Sequence, residues 1–240
     1  ARLLHESLFG TEERSEMQEG SGDPQCNTAD ISRMRVGTDC SGLEAPIQAL
    51  KLLGVPYQHI FSSDNDKLIQ SFIKDNFSPE VFYEDVTTRD NDVAEAVDLY
   101  VAGFPCQPFS LGGRKEGFED SQGRGKIFNH IHDYIRKKLP KIFVLENVKG
   151  FTTLAGGKYK RSVLGSLKSI MLPQEAGEDE SPAYDVYDTL LNTKDYGIPQ
   201  NRPRWYCVGF LRSTPKDGSF SFPLAIECLP LTSFLDQEAK

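Results

Sequence analysis

The 240-residue chain contains no C-x-x-C pair, and its five cysteines (Cys26, Cys40, Cys106, Cys207 and Cys228) are widely spaced and odd in number. That pattern argues against a disulfide framework and against a zinc site, and it points to a reducing, intracellular home: the nucleus if the source is eukaryotic, otherwise the cytoplasm. The four histidines (His5, His59, His130 and His132) show no metal-ligand spacing, so no metal is expected. No stretch approaches the roughly 18 apolar residues of a membrane span. The first 30 residues lack the apolar run of a signal peptide, and they begin with Ala1 rather than Met, which is compatible with a longer parent. Basic charge is also short. The net charge of −8 has the wrong sign for a partner of nucleic acid. The distribution of charge weakens that exclusion: residues 1–30 carry −5 and residues 173–182 carry −4, which leaves the rest close to neutral.

What is present is an alternation of two periods. Residues 1–32 mix Glu, Gly, Ser and Asp without a sustained apolar period and read as a flexible acidic tail or linker; 173–182 reads as an acidic surface loop for the same reason. Between and beyond these, residues 33–240 read as one catalytic unit. Arg33–Asp39, Tyr57–Ser63, Val81–Tyr83, Leu99–Ala102, Ile142–Leu145, Tyr184–Leu191 and Trp205–Phe210 read as strands. Helical stripes run through Ile47, Leu50 and Leu53 with Gly54 as a cap, through Leu68, Ile69, Phe72 and Ile73, through Ile127, Ile131, Tyr134 and Ile135, and over Val163–Met171. Strands alternating with helices imply an α/β fold with a mostly parallel sheet and helices on both faces. Such sheets bind ligands at the carboxyl ends of their strands, so the loops starting near Asp39, Asp64, Asp85, Gly103 and Glu146 are where chemistry is expected.

Three of these segments carry reactive side chains. Gly103-Phe104-Pro105-Cys106-Gln107-Pro108-Phe109-Ser110 holds a cysteine between two prolines, which fix the backbone around a candidate nucleophile. An inert loop cysteine explains the octet equally well on its own. Leu145-Glu146-Asn147-Val148 places a carboxylate at the end of an apolar strand, where burial raises its pKa and suits it to hold or donate a proton; an exposed strand-end Glu is the plainer alternative. Gln200-Asn201-Arg202-Pro203-Arg204 sets two arginines in fixed relation before the last strand, suited to phosphate or base contacts, or else merely a basic turn.

Together and in this order, the Pro-Cys-Gln, Glu-Asn-Val and Gln-x-Arg-x-Arg segments resemble the motifs of the DNA cytosine-5 methyltransferases. Gly117-Phe118-Glu119-Asp120-Ser121 with Gly123-Arg124 is similar to that family's mobile loop, and Asp195-Tyr196-Gly197-Ile198-Pro199 leads into the arginine motif as it does there. The resemblance runs from about Arg33 to Phe210. It implies a Rossmann-like fold with a seven-stranded sheet, S-adenosylmethionine as cofactor, S-adenosylhomocysteine as its product, and double-stranded DNA as partner. It implies Cys106, Glu146, Arg202 and Arg204 as the catalytic set. Phe104, Gln107, Ser110 and Asn147 would face the substrate. The cofactor would lie along Asp39, Cys40, Ser41, Gly42, Leu43 and Glu44, then Asp64 and Asn65, Asp85 and Val86, and Gly103 and Pro105. Departures concern the first two of these loops: Cys40 stands where the family has an aromatic residue, Glu44 and Ala45 where it has glycines, and Asn65 where an aromatic often stacks on adenine. Five glycines between Ser110 and Gly125 give that loop freedom to close over a base.

Two other readings stand beside this one. A branch of the same family acts on tRNA with nearly the same motifs, although Gly103-Phe104-Pro105 leans towards DNA. A non-catalytic methyltransferase-like module is the third reading, disfavoured by the joint presence of Cys106, Glu146 and Arg204. The target-recognition domain and last motif that the resemblance implies are not seen before Lys240, so a trimmed fragment, or a further domain or subunit supplying recognition, is expected.

Overall fold

The computed structural model describes residues 33–105, 127–173, 180–215 and 218–235. The expected tail 1–32, the core of the acidic loop 173–182, and Cys106, Gln107 and Ser110 with the glycine-rich stretch after them lie outside the described residues.

Seven strands form one sheet: β1 Met34–Asp39, β2 Tyr57–Ser63, β3 Val81–Tyr83, β4 Leu99–Ala102, β5 Ile142–Val148, β6 Tyr184–Asn192 and β7 Pro203–Leu211. Their order is β3-β2-β1-β4-β5-β7-β6. The first five neighbours pair in parallel, and β7 runs antiparallel to both β5 and β6. The helices are α1 Ala45–Leu52, α2 Lys67–Asn76, α3 Ile127–Lys138, the short α4 Lys149–Thr153 and α5 Lys158–Lys168.

Alternation within the strands builds two cores. On β4 and β5, Tyr100, Ala102, Phe143 and Leu145 face one side, where they pack with Ile131 and Tyr134 of α3, Phe151 of α4, and Val163 and Leu167 of α5. Leu99 and Ile142 face the other side, with Met34, Val36 and the α1 residues Ile47 and Leu50. Period-two burial on both faces is what buries a parallel sheet completely. Beside β7 the second face is covered by Phe220 and Phe222 rather than by a helix; the Phe220 ring lies 4.9 Å from that of Phe210.

Differences from the sequence reading have local causes. β5 continues past Leu145 to Val148, and β7 begins at Pro203, because the two strands pair as far as Val148 and Arg204. The last expected helix lies earlier, at Lys158–Lys168, and Met171 instead forms a bridge with Pro182. Leu68, expected on the apolar face of α2, is 82% exposed, and the buried positions of that helix are Gln70 and Ile73. Gly54 follows α1 in the left-handed region (φ 66°), the conformation that ends helices at glycine. No helix among the described residues is long and apolar enough to cross a membrane.

Candidate active site

The carboxyl ends of β1, β2, β4 and β5, the loop after β3 and the start of β7 surround one cavity of about 420 Å³. That volume is in the range of small-molecule sites.

One wall is acidic. Asp64, Asn65 and Asp66 line it from the end of β2, and Asp85 and Val86 from the loop after β3. Asp64 ties two loops together: its Oδ2 accepts from Gly42 N–H at 3.0 Å and its Oδ1 from Asp66 N–H at 3.1 Å. The buried Gln70 amide donates to the carbonyls of Asp64 (2.9 Å) and Glu84 (3.3 Å), so a polar residue in α2 holds the β2 and β3 loops at one spacing. Asp85 Oδ1 accepts from the Thr87 N–H and hydroxyl, both at 2.8 Å.

The turn after β1 is held in a conformation that suits glycine although its sequence has largely lost glycine. Cys40 (φ 51°), Gly42 (φ 53°) and Glu44 (φ 55°) are all left-handed. A side chain in that region costs about 1–2 kcal/mol. At Glu44 the cost is offset by anchoring: the fully buried carboxylate accepts from the hydroxyls of Thr38 (2.8 Å) and Ser62 (2.6 Å), which pin the turn to β1 and β2. Burial pushes its pKa up to about 7 against those hydrogen bonds. Ser41 completes the anchor, its hydroxyl accepting from Ser63 N–H at 3.1 Å. Cys40 lines the cavity, and burial with the nearby Asp39 charge pushes its thiol far above the ordinary range, which disfavours the thiolate.

The opposite wall carries Gly103, Phe104, Pro105, Glu146, Val148, Arg202 and Arg204. Antiparallel pairing of β5 with β7 brings Glu146 and Arg204 together, and Arg204 Nε meets Glu146 Oε1 at 2.8 Å. Burial raises the Glu146 pKa, while the charges of Arg204 and Arg202 pull it down. The result is a carboxyl group poised nearer its protonated form than an ordinary glutamate, paired with Arg204 and within reach of the Arg202 charge. A β-carbon at Gly103 would stand 3.5 Å from Glu146 Oε2, so the strand leading to Cys106 passes directly over this carboxylate. Asn147 holds that approach: its fully buried amide donates to the Phe104 carbonyl at 3.3 Å. The Phe104 ring itself is buried against Phe128 and Phe151.

Of the residues expected at the site, Cys40, Asp64, Asn65, Asp85, Val86, Gly103, Phe104, Pro105, Glu146, Arg202 and Arg204 are thus brought around the cavity. Ser41 and Gly42 lie beside it and act through Ser63 and Asp64. Leu43 points to solvent at 62% exposure. Three side chains differ from expectation in their direction. Glu44 and Asn147 point into the interior, as described, and Asp39 is held by Arg89 through two hydrogen bonds of 2.7 Å. Arg89 is outside the sequence expectation altogether. Its guanidinium lies over the rings of Phe61, Tyr83 and Tyr134 at 4.7–5.1 Å, beneath the turn that lines the cavity. A lone arginine inside the polar Thr87–Asp92 loop carries no sequence sign of burial. Val148 and Ile127 also line the cavity, and as ordinary apolar residues they carry no sequence signal of a site.

An acid-lined cavity across the ends of its parallel strands is where a doubly wound sheet binds ligands, and here a carboxylate and two arginines share that cavity. The profile of the family described as C-5 cytosine-specific DNA methylase matches residues 38–234, and the chain belongs to that family. It is similar to the Type II methyltransferase M.NgoBI of Neisseria gonorrhoeae, 38% identical over 181 residues, covering 75% of this chain and 51% of that protein. M.HpaII of Haemophilus parainfluenzae is 38% identical over 167 residues, 68% of this chain and 42% of that one. The chain therefore spans about half the length of the curated relatives it matches. Among solved structures, the Dnmt2 methyltransferase of S. pombe superposes with a TM-score of 0.60 at 20% identity, over 87% of this chain and 61% of that one, a likeness of fold.

Proposed function

We propose that the protein transfers a methyl group to carbon 5 of cytosine in double-stranded DNA. One observation carries the reading: Glu146, Arg202 and Arg204 share a single cavity with Asp64 and Asp85, at the end of the strand that leads through Pro105 into Cys106.

S-adenosylmethionine suits the acidic wall. In this reading Asp64 accepts from the ribose hydroxyls and Asp85 from an adenine amino group, because carboxylates accept from such donors. Asn65 offers no ring for stacking, an interaction worth about 1–3 kcal/mol per base, so binding rests on polar contacts. When bound, this cofactor supplies an electrophilic methyl group on a sulfonium. The chain's own residues make carbon 5 able to take it. The Cys106 thiolate adds to carbon 6 of the ring, and the ring electrons shift towards carbon 5 and nitrogen 3. Glu146, holding a proton, donates to nitrogen 3 and stabilises the charge that gathers there. Arg204, which holds Glu146 at 2.8 Å, donates to the exocyclic oxygen on carbon 2 of the base. After methylation water takes the carbon 5 proton, the carbon 6–sulfur bond breaks to free the Cys106 thiolate, and nitrogen 3 returns its proton to Glu146. A cytosine stacked in a duplex cannot reach this cavity, so the base flips out at a cost of a few kcal/mol.

The test is transfer of radiolabelled methyl from S-adenosylmethionine to duplex DNA and to tRNA in parallel. Label on DNA cytosine supports the reading. Label on tRNA alone replaces the substrate, and label on neither points first to a catalytic domain that needs a further domain or subunit, and next to a binding role.

A further inference from the structure

The net charge of the chain speaks against a polyanionic substrate, yet the mouth of the cavity is divided by sign. On the β2–β3 side Asp64, Asp66 and Asp85 line the cavity, and Glu84 beside them is paired with Lys67. On the β5–β7–β6 side, residues 147–173 contain Lys149, Lys158, Lys160, Arg161 and Lys168 and no acidic residue. Charges more than about 8 Å apart are largely screened at physiological salt. A phosphate therefore responds to the local rim rather than to the total.

Three of the exposed lysines stand at the mouth. Lys149 opens α4 immediately after Val148, which lines the cavity. Lys194 lies in the 3-10 turn Thr193–Asp195 that follows β6, where the Asn192 side chain accepts from Arg202 N–H at 2.9 Å. Lys158 opens α5, and the helix runs away from the mouth: Lys160 meets Asp188 in the middle of β6 at 3.0 Å, and Ile170 accepts from Ala183 at its base. Some surface lysines are tied to carboxylates within the fold, as Lys137 is to Asp92 (2.7 Å) and Lys141 to Asp98 (3.0 Å). Lys149, Lys158 and Lys194 form no ion pair among the described residues. Lys158, Lys160 and Arg161 also occupy the first turn of α5, which has no acidic residue. The helix dipole favours anions there, so fold stability alone gives no reason for cations. An anionic partner outside the fold does.

We propose that Lys149, Lys158 and Lys194 form a phosphate-contacting rim that carries the backbone of duplex DNA past the cavity, on the side of Glu146 and Arg204. The proposal rests on the DNA reading above and adds the surface that holds the polymer. None of the three lysines lines the cavity, so their role is to hold the DNA and not to act on the base.

The experiment measures binding of a short fluorescein-labelled duplex over a salt series, for wild type and for the triple variant K149Q/K158Q/K194Q. Each phosphate contact contributes about 0.9 to the slope of log K against log salt. The variant is expected to lose about 2–3 from that slope, with equal weakening on unrelated sequences and an unchanged Kd for S-adenosylmethionine. An unchanged slope overturns the rim, even where methyl transfer to DNA survives and the proposed function stands. The same loss of slope on tRNA, in a protein that binds no duplex, keeps the rim but overturns DNA as its partner. Wild-type binding without salt dependence overturns both.

Discussion

Replacing Arg89 with Met removes one half of the most buried ion pair described in the protein. The side chains of Arg89 and Asp39 are 1% and 0% exposed, and two hydrogen bonds of 2.7 Å join them. Met keeps much of the apolar stem among Phe61, Tyr83 and Tyr134, so the cavity left is small and the lost charge dominates. Among the described residues Asp39 then keeps only the Tyr100 hydroxyl as a side-chain donor, at 2.5 Å. Removing one partner of a buried pair costs about 3–5 kcal/mol, because the remaining charge stays desolvated. For a chain of this size that is a fall in Tm of roughly 6–20 °C. Thermal melts followed by circular dichroism provide the assay. The double variant Arg89→Met with Asp39→Leu provides the control, since an apolar pair of similar volume is often neutral and most of the loss should return. A single variant destabilised by less than about 1 kcal/mol, the range of an exposed pair, would show that the Asp39 charge is not stranded as argued.

Two further predictions concern the turn after β1 and the acidic wall beside it. Glu44 is raised to about 7, so in the folded state it holds a proton that the unfolded chain releases, and its contribution falls as pH rises from about 4.5 to 7. His59, lowered to about 4 by burial, acts in the opposite sense: its contribution is complete above about 6.5 and falls as pH drops towards 4. The two oppose each other between pH 4.5 and 6.5. Glu44→Gln should therefore add a rising slope of up to about 1.4 kcal/mol per pH unit relative to wild type, read by urea melts; parallel profiles would contradict the burial of that carboxyl. Asp64→Ala should weaken S-adenosylmethionine binding by calorimetry, and an unchanged Kd would mean that the ribose lies elsewhere.

The fold is legible in the sequence because a parallel sheet buried on both faces leaves short apolar runs such as Leu99–Ala102, whose ends the structure reproduces. The elements that escape a sequence reading lack such a signature. Lys149–Thr153 has no apolar period, and α5 begins in Lys-Tyr-Lys-Arg, where side chains at the mouth are not selected for burial. The ordered motifs locate Glu146 and Arg204, but motifs report chain position and not direction. Hence Glu44 and Asn147, expected to face ligand, turn inward to hold the Cys40 turn and the Phe104 loop. Arg89 is invisible for a related reason: its partner Asp39 lies 50 positions away, a pairing set only by tertiary structure.

Everything proposed for this cavity depends on a cytosine ring entering it and being attacked by Cys106. Incubation with duplex DNA containing 5-fluorocytosine and S-adenosylmethionine puts that step to the test, because fluorine cannot leave as the proton does and the adduct persists. The expected result is a denaturation-resistant protein–DNA band that requires the cofactor and vanishes in Cys106→Ser. A band that survives in Cys106→Ser, or methyl transfer to cytosine with no trapped adduct, would contradict the attack by Cys106.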